Sequence, residues 1–290
     1  MRMRRISLSD IFIYFLVTLA VLVCLLPFLH EIAISFSSSH AVLSGKVLLW
    51  PREFTLNAYQ VVVGDRTMVG SLLYTIVLTV VYTVLSMAIT ICAAYPLSKT
   101  RLKGRKFFLL IILFTMYFSG GTIPNYLLVK ELGLLNTMWA LILPPLLSTY
   151  NMIILKTFFS TISQSLEESA RLDGCSDFGI LLRITLPLSK SVLATLSLFY
   201  AVAKWNSFQD ALFYVTNPKL YPLQLKLYQI VFNAMSVEIR TQEGADLFNN
   251  ITPESLKAAC VMFATMPIIL VYPWLQKYFI KGVMIGAVKG

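Results

Sequence analysis

The stretch Glu168-Ser-Ala-Arg-Leu-Asp-Gly174, followed after nine residues by Ile184-Thr-Leu-Pro187, is a charged, turning segment between long apolar runs. Ser165 and Glu168 have the Ser-x-x-Glu spacing of a capping box, in which both side chains accept hydrogen bonds from free N–H groups at a helix start. The sequence therefore predicts a short helix over about residues 166–172.

The rest of this stretch predicts a turn and a second helix. Gly174 has no Cβ and can adopt the left-handed conformation that commonly ends a helix. A second short helix is expected to begin near Ser176 and to continue until Pro187 obstructs it. The helix–turn–helix over residues 165–187 fits two roles: a rigid unit that docks into a groove of another protein, or an amphipathic elbow on the membrane surface.

The composition is that of a membrane protein. Hydrophobic residues make up 57% of the chain and charged residues 13%, and the mean hydropathy is +0.74; a soluble core does not need this much apolar sequence. The net charge of +10 comes from short basic clusters between apolar runs, which indicates membrane topology rather than nucleic-acid binding. The four cysteines lack the spacing of a metal site, so we expect free thiols and no bound metal.

Six apolar runs predict six transmembrane helices, because each approaches or exceeds the roughly 20 residues needed to cross the hydrocarbon. The predicted spans are 11–34, 67–98, 107–129, 132–158, 191–214 and 258–279. The first follows a basic N-terminus as in a signal peptide, but it is too long and lacks a cleavage site, which favours a retained span. The expected fold class is all-α, a polytopic membrane protein formed by a single domain over residues 1–290.

The distribution of Lys and Arg predicts the orientation of these spans. Most of the 24 basic residues lie at the two termini and in the second and fourth connections. Basic residues favour the cytoplasmic side of a membrane. Both termini and the 165–187 segment are therefore expected in the cytoplasm.

Polar groups within two of the predicted spans are candidates for lining a solute path, since such groups are costly against lipid. An aromatic face beside amide donors and acceptors suits a sugar. The alternative, that these groups tie helices together or lie at the outer interface, stays open. The candidates are Tyr150, Asn151, Lys204, Trp205, Asn206, Gln209 and Asp210.

Two further segments also leave alternatives open. Residues 119–125 contain glycines and a proline that break the third run, and this break borders a watery path or marks an outer helix end. The polar segment 35–66 carries aromatic residues that suit the membrane interface, or it is a packed loop.

The opening stretch resembles the EAA signature of importer-type ABC permeases, E-A-A-x-x-x-G, nine residues, then I-x-L-P. One position differs, because Ser169 replaces an alanine. The C-terminal tail from Gln276 to Gly290, together with Trp205-Asn206, is similar to carbohydrate-uptake permeases of the maltose-permease kind, in particular the branch for oligosaccharides and acidic polysaccharides that includes the alginate importer. The positions in register are Glu168, Ala170, Gly174, Ile184, Leu186 and Pro187.

This resemblance implies an assembly and a division of roles. The 165–187 segment would form coupling helices seated in a cleft of a cytoplasmic ATPase, and the last residues would contact the ATPase subunits. ATP and magnesium would bind in those partners, because this chain has no P-loop sequence. The implied coupling residues are Glu168, Ser169, Ala170, Asp173, Gly174, Ile184, Leu186 and Pro187, and the implied C-terminal contacts are Val288, Lys289 and Gly290.

The implied partners are a second homologous permease, two ATPase subunits, an extracytoplasmic solute-binding protein, a carbohydrate substrate and membrane lipid, with no nucleic acid. The implied location is the bacterial inner membrane. The runner-up hypothesis is a self-sufficient secondary transporter or channel, which should carry coupling carboxylates in its spans, whereas the apolar runs hold only Asp210 and the edge residue Glu31. A third hypothesis is an intramembrane enzyme, but His30 and His40 lack a second cluster of ligands.

Overall fold

The computed structural model describes residues 8–237 and 251–287, and these consist of helices and connecting segments without a strand. The predicted all-α class is confirmed. The helices are α1 (Leu8–Ser35), α2 (Ser39–Leu43), α3 (Asn57–Gly64), α4 (Arg66–Ser98), α5 (Arg105–Tyr117), α6 (Thr122–Glu131), α7 (Met138–Ile142), α8 (Thr149–Phe159), α9 (Gln164–Leu172), α10 (Asp177–Ile180), α11 (Leu186–Leu188), α12 (Lys190–Asn206), α13 (Gln209–Tyr214), α14 (Leu223–Val237) and α15 (Pro253–Ala287). A π-helical turn, Leu181–Thr185, joins α10 to α11, and a 3₁₀ turn, Pro218–Leu220, precedes α14.

The described residues fall into two compact units. Unit 1 lies within Met1–Val69 and Lys226–Ile268, and unit 2 lies within Gly70–Leu225 and Ile269–Gly290. Each unit is described below by itself.

Three helices of the described chain are long and apolar enough to cross a membrane, namely α1, α4 and α15. The predicted spans 11–34, 67–98 and 258–279 lie within them. Two bent pairs of helices could add one span each. The pair α5 and α6 is bent by 112°, and the pair formed by the 177–188 segment and α12 is bent by 84°. Length and composition thus support three to five spans among the described residues, and the count of six stays a prediction.

The fourth predicted span, 132–158, is wrong as a single helix. Within it the structure has α7 and α8, two short helices separated by residues 143–148. Pro144 and Pro145 lie in this break. A proline inside a helix removes one hydrogen bond and clashes with the preceding turn, which explains why the helix is interrupted here.

Side chains from other helices satisfy the backbone of this break. The Lys204 ammonium of α12 donates a hydrogen bond to the carbonyl oxygen of Leu141. The Tyr82 hydroxyl of α4 donates to the carbonyl oxygen of Pro145 at 2.8 Å, and the Ser148 N–H donates to the hydroxyl oxygen of Tyr200 at 3.1 Å. Because lipid offers no hydrogen bonds, a broken helix at membrane depth would need partners of this kind.

Asn136 likewise provides hydrogen bonds to backbone groups, in the segment that follows α13. Its side-chain oxygen accepts hydrogen bonds from the N–H groups of Thr216 at 2.6 Å and Asn217 at 3.1 Å. Its own N–H donates to the carbonyl oxygen of Tyr214 at 2.9 Å. The predicted fifth span, 191–214, is not a single helix either, because α12 ends at Asn206 and α13 begins at Gln209.

The break predicted at 119–125 begins earlier than expected. Helix α5 ends at Tyr117, and α6 begins at Thr122 after Gly121, whose φ is +86°. Pro124 belongs to the first turn of α6 rather than to the break, because a first-turn residue has no intrahelical partner for its N–H. No described contact separates the two roles left open for this break.

Unit 1 contains the polar segment 35–66, which packs on itself. The ring of Phe36 stacks against Phe54 at 5.6 Å and against Tyr59 at 4.9 Å between centroids. The Ser38 N–H donates to the carbonyl oxygen of Arg52 at 3.2 Å. These contacts support the packed-loop alternative for this segment.

An exposed glutamate also stabilises the 35–66 segment. The Ser38 hydroxyl donates to the Glu53 carboxylate, and the His40 ring nitrogen lies 3.6 Å from it. The hydrogen bond from Ser38, with the nearby His40, holds the pKa of Glu53 below its usual range. Glu53 also adopts a positive φ of 52°, so its side-chain contacts help to hold a backbone conformation that few residues adopt.

We expect acidification to weaken this segment through Glu53. A carboxylate with a lowered pKa contributes stability above its unfolded pKa, and this contribution is lost as the pH falls through the folded pKa. In detergent, the wild type should therefore melt at a slightly higher temperature than Glu53→Gln at about pH 6, and the difference should decrease as the pH is lowered below about 4. A difference that persists at the lower pH would show that the charge of Glu53 is not the cause.

We also expect Tyr200→Phe to destabilise unit 2. The Tyr200 hydroxyl is buried and bonds to both Ser148 and Thr90, the latter at 2.7 Å. Its loss leaves the Ser148 N–H unpaired, which costs about 1–3 kcal/mol. Thermal unfolding in detergent should show this loss, while the matched change Tyr117→Phe, at an exposed ring, should leave the unfolding temperature unchanged. Equal effects of both changes would contradict the assignment.

Candidate coupling site

The first helix of the opening stretch is α9, and it differs from the prediction at its start. It begins at Gln164, so Ser165 lies inside the helix and Ser163 takes the N-cap position. The predicted capping box is therefore wrong; the Ser165 hydroxyl pairs with that of Ser163 at 2.7 Å instead. The predicted end at Leu172 is confirmed.

The turn after α9 forms as its glycine predicted. Gly174 has a φ of +81°, its N–H donates to the carbonyl oxygen of Arg171, and the N–H of Cys175 donates to that of Ala170, both at 2.9 Å. These bonds satisfy carbonyl groups left free at the helix end. Ser176 then caps the second helix, because its hydroxyl oxygen accepts a hydrogen bond from the Gly179 N–H at 3.2 Å.

The second helix continues slightly beyond the predicted obstruction. Pro187 lies within α11, which ends at Leu188. The π-helical turn before it changes the hydrogen-bonding register, and such turns are a known way to accommodate a residue that does not fit a regular helix. We call residues 164–188 the EAA segment.

Most of the implied coupling residues face outward from this chain. Ala170, Ile184 and Leu186 are half-buried, whereas the others are exposed: Glu168, Ser169, Asp173, Gly174 and Pro187. The EAA segment thus exposes acidic side chains and the turn at Gly174, where another protein can contact them.

Glu167, which the sequence analysis did not single out, is the carboxylate that points inward. Only 5% of the residue is exposed, and its carboxylate forms an ion pair with the Lys99 ammonium. Arg171, one turn later on the same helix face, lies 3.9 Å from it. The sequence around Glu167 does not show that this glutamate is buried. The only signal available for its burial was the basic cluster that begins at Lys99, which could supply a counter-ion.

A second set of charges lies at the start of α10. The Asp177 carboxylate forms an ion pair with Arg101, and the Arg171 guanidinium lies 3.1 Å from it. The Tyr95 hydroxyl donates to the carbonyl oxygen of Asp177 at 3.1 Å. The residues that end and follow α4 therefore contact both helices of the EAA segment.

A cleft of about 280 Å³ lies between α9 and the turn after α4. Its charged lining mixes both signs, with Lys99, Arg101, Arg105 and Arg171 on one hand and Glu167 and Glu168 on the other. Within the described residues no group of three His, Cys, Asp or Glu side chains could hold a metal ion.

The candidate residues for a solute path do not share one environment. Lys204 is 5% exposed; besides its bond to Leu141 it lies 3.7 Å from the Asp210 carboxylate. Asn151 and Trp205 are also buried, and Asp210 is half-buried. These contacts of Lys204 tie α12 to α7 and α13, as the helix-tying alternative expected. A contact with solute stays a prediction.

Tyr150 lies beside the buried Asn151 but is itself 59% exposed on this chain, and its place in a solute path stays a prediction. Adjacent residues on a helix point about 100° apart, so burial of one often exposes the next. Asn206 and Gln209 are exposed as well. The C-terminal residues Val288, Lys289 and Gly290 lie outside the described residues.

Long apolar helices, helix breaks satisfied by side chains and an exposed, charged helix–turn–helix define a membrane-spanning transport subunit. The chain belongs to the family described as binding-protein-dependent transport system inner membrane component, whose profile matches residues 4–285. The EAA signature is typical of this family. The protein is therefore a multi-pass inner-membrane permease subunit of an ABC transporter, and it is not itself the ATPase.

Individual proteins support the same conclusion. The chain is 44% identical over 284 residues to the polygalacturonan/rhamnogalacturonan transport system permease protein YtcP of Bacillus subtilis (strain 168), covering 98% of this chain and 99% of that one. It resembles a chain of a bacterial ABC transporter involved in the import of the acidic polysaccharide alginate, with a TM-score of 0.87, 34% identity and coverage of 96% and 100%.

A second solved structure shares the fold alone. It is a chain of the bacterial alginate ABC transporter in complex with an alginate pentasaccharide-bound periplasmic protein, with a TM-score of 0.56 at 14% identity, covering 91% of this chain and 92% of that one.

We expect Gly174→Ala to loosen the turn of the EAA segment. No atom lies within 4 Å of an added Cβ, so the effect is backbone strain alone, about 1–2 kcal/mol for a left-handed residue. Amide hydrogen exchange of the 164–188 region should accelerate about 5- to 30-fold. The control Gly70→Ala lies in α4, where an added Cβ also meets nothing, and should not accelerate exchange. Unchanged exchange in Gly174→Ala would contradict the role of the turn.

Proposed function

We propose that this permease subunit imports oligosaccharides of acidic polysaccharides, driven by ATP hydrolysis in partner subunits. The observation that carries the proposal is the EAA segment, held on this chain by ion pairs while Glu168, Gly174 and Pro187 of its signature are exposed. Such a unit suits force transfer from a separate ATPase. A secondary transporter or channel would not need it.

The substrate class is supported by the relatives. YtcP is described as a transporter of polygalacturonan and rhamnogalacturonan, and the similar solved structure imports alginate. These polysaccharides share carboxylate groups on sugar rings. We propose the same chemistry for this chain, with Tyr150, Asn206 and Gln209 as the exposed polar candidates along the path.

For the buried cation Lys204 we propose a smaller role in substrate binding than for these exposed residues. Its ammonium already contacts Leu141 and Asp210, so it would act on an acidic sugar only if Asp210 released it. The positive charges for such a substrate would then come mainly from partner proteins.

The proposed assembly contains this permease, a second homologous permease, two ATPase subunits that bind ATP and magnesium, and an extracytoplasmic solute-binding protein. The termini and the EAA segment would face the cytoplasm, as the positive charges predict. The loops 35–66 and 215–257 would receive the binding protein. A solved alginate transporter that carries a periplasmic protein supports this last contact.

We expect Glu168→Gln to reduce both ATPase recovery and uptake. Glu168 is exposed in the first half of α9, where its carboxylate can pair with a basic group of the ATPase. An exposed pair at an interface contributes modestly, so recovery of the ATPase with the purified permease should fall about 5- to 10-fold. Uptake of a labelled uronate oligosaccharide by cells should fall in parallel.

The matched control is Glu131→Gln, the same change at an exposed glutamate that ends α6. It should retain wild-type recovery and uptake. Neutral maltooligosaccharide should not compete with the labelled uronate oligosaccharide, whereas an unlabelled uronate oligosaccharide should. If the wild-type permease moved solute in vesicles without any ATPase, the proposal would fail.

A further inference from the structure

We infer that Glu167 is a positioning residue for transport, because its ion pair with Lys99 fixes helix α9 to the end of α4 so that the two helices move together. The inference rests on the proposed function and extends it. The EAA signature contains Glu168 and not Glu167, so a role for Glu167 follows from the structure rather than from the signature.

The two neighbouring glutamates point in different directions. Successive residues on an α-helix are rotated by about 100°. Glu168 is exposed, whereas the Glu167 side chain retains only 7% of its exposure and its partner Lys99 retains 12%. One carboxylate is therefore exposed and accessible to another protein, and the other is buried against the chain that carries the helix.

The position of Lys99 links the EAA segment directly to α4, so that a movement of α9 would also move α4. It directly follows Ser98, the last residue of α4. Its ammonium also lies 4.4 Å from the centre of the Tyr95 ring, one turn earlier on α4, a distance typical of a cation–π contact. The Lys99 side chain is thus held on two sides, by Tyr95 of α4 and by Glu167 of α9.

Neighbouring contacts reinforce this junction but are weaker. The Gln164 amide donates to the Thr100 hydroxyl at 3.3 Å. The ion pair between Arg101 and Asp177 has both side chains about half exposed, at 52% and 54%, and exposed pairs contribute little. Because the side chains of the Lys99–Glu167 pair are mostly buried, removal of Glu167 leaves the Lys99 ammonium mostly buried without its counter-ion. The junction should therefore depend on this pair most.

A rigid junction predicts a specific defect when it is broken. Glu168 remains exposed in the Glu167→Gln variant, so the ATPase should still bind. Its motion would no longer be transmitted fully to α4, and ATP would be hydrolysed without transport. The quantity that should change is the number of substrate molecules moved per ATP hydrolysed.

The experiment uses the complete complex of both permeases, the ATPases and the binding protein in proteoliposomes. In Glu167→Gln, ATPase recovery should equal that of the wild type, while transport per ATP should fall at least about tenfold. Asp177→Asn, which removes the exposed ion pairs with Arg101 and Arg171 and leaves the Lys99–Glu167 pair in place, should change the ratio less than about twofold. A merely structural role would lower the amount of complex but leave the ratio of the assembled complex unchanged.

A double-mutant comparison tests the pair itself. If Lys99 and Glu167 act together, Lys99→Met, Glu167→Gln and the double variant should show the same loss, because the second change removes nothing more. Should either single variant fail to assemble, the double variant, which leaves no unpaired buried charge, provides the measurement and should show the tenfold loss. A wild-type ratio in the assembled double variant, or single losses that multiply, would overturn the inference.

A different set of results would contradict the proposed function. If the wild-type permease recovered no ATPase, or Glu168→Gln had no effect on recovery, the ATP-driven assembly would be wrong irrespective of Glu167. Normal recovery with an unchanged transport ratio in Glu167→Gln would instead overturn only the inference about Glu167.

Discussion

The structure depends on one constraint: inside the hydrocarbon, each backbone N–H and C=O group must find its partner within the protein. Unit 2 contains a helix break whose backbone groups find such partners. Lys204, Tyr82 and Tyr200 supply hydrogen bonds to the backbone on either side of the two prolines between α7 and α8. Polar side chains on distant helices are thereby used as substitutes for missing helical hydrogen bonds.

This use explains why polar residues in apolar runs are ambiguous in sequence. A lysine followed by an aromatic and an amide residue fits a sugar site, and it fits a group that ties helices together equally well. Lys204 makes contacts of the second kind, to Leu141 and Asp210. Asn206 and Gln209 of the same cluster are exposed instead.

The EAA segment follows the same rule for charge. A buried carboxylate is tolerated where a cation compensates it, and Glu167 has Lys99. Glu168 needs no such partner on this chain because water or a second protein can reach it. The adjacent residues Glu167 and Glu168 therefore lie on different surfaces of α9. Because α9 is anchored through one of them and exposes the other, it is well suited to transmit a movement of another subunit.

The sequence by itself determined the features that depend on neighbouring residues: three long apolar helices, the left-handed turn at Gly174, the cap at Ser176 and the EAA register that indicates the family. The tertiary structure decided the features that depend on distant partners. Glu167 is buried against a residue 68 positions away, and Lys204 reaches a carbonyl 63 positions away. The exposure of Tyr150 belongs to this second class, because local periodicity carries no information about which distant side chains will supply hydrogen bonds, charge or cover.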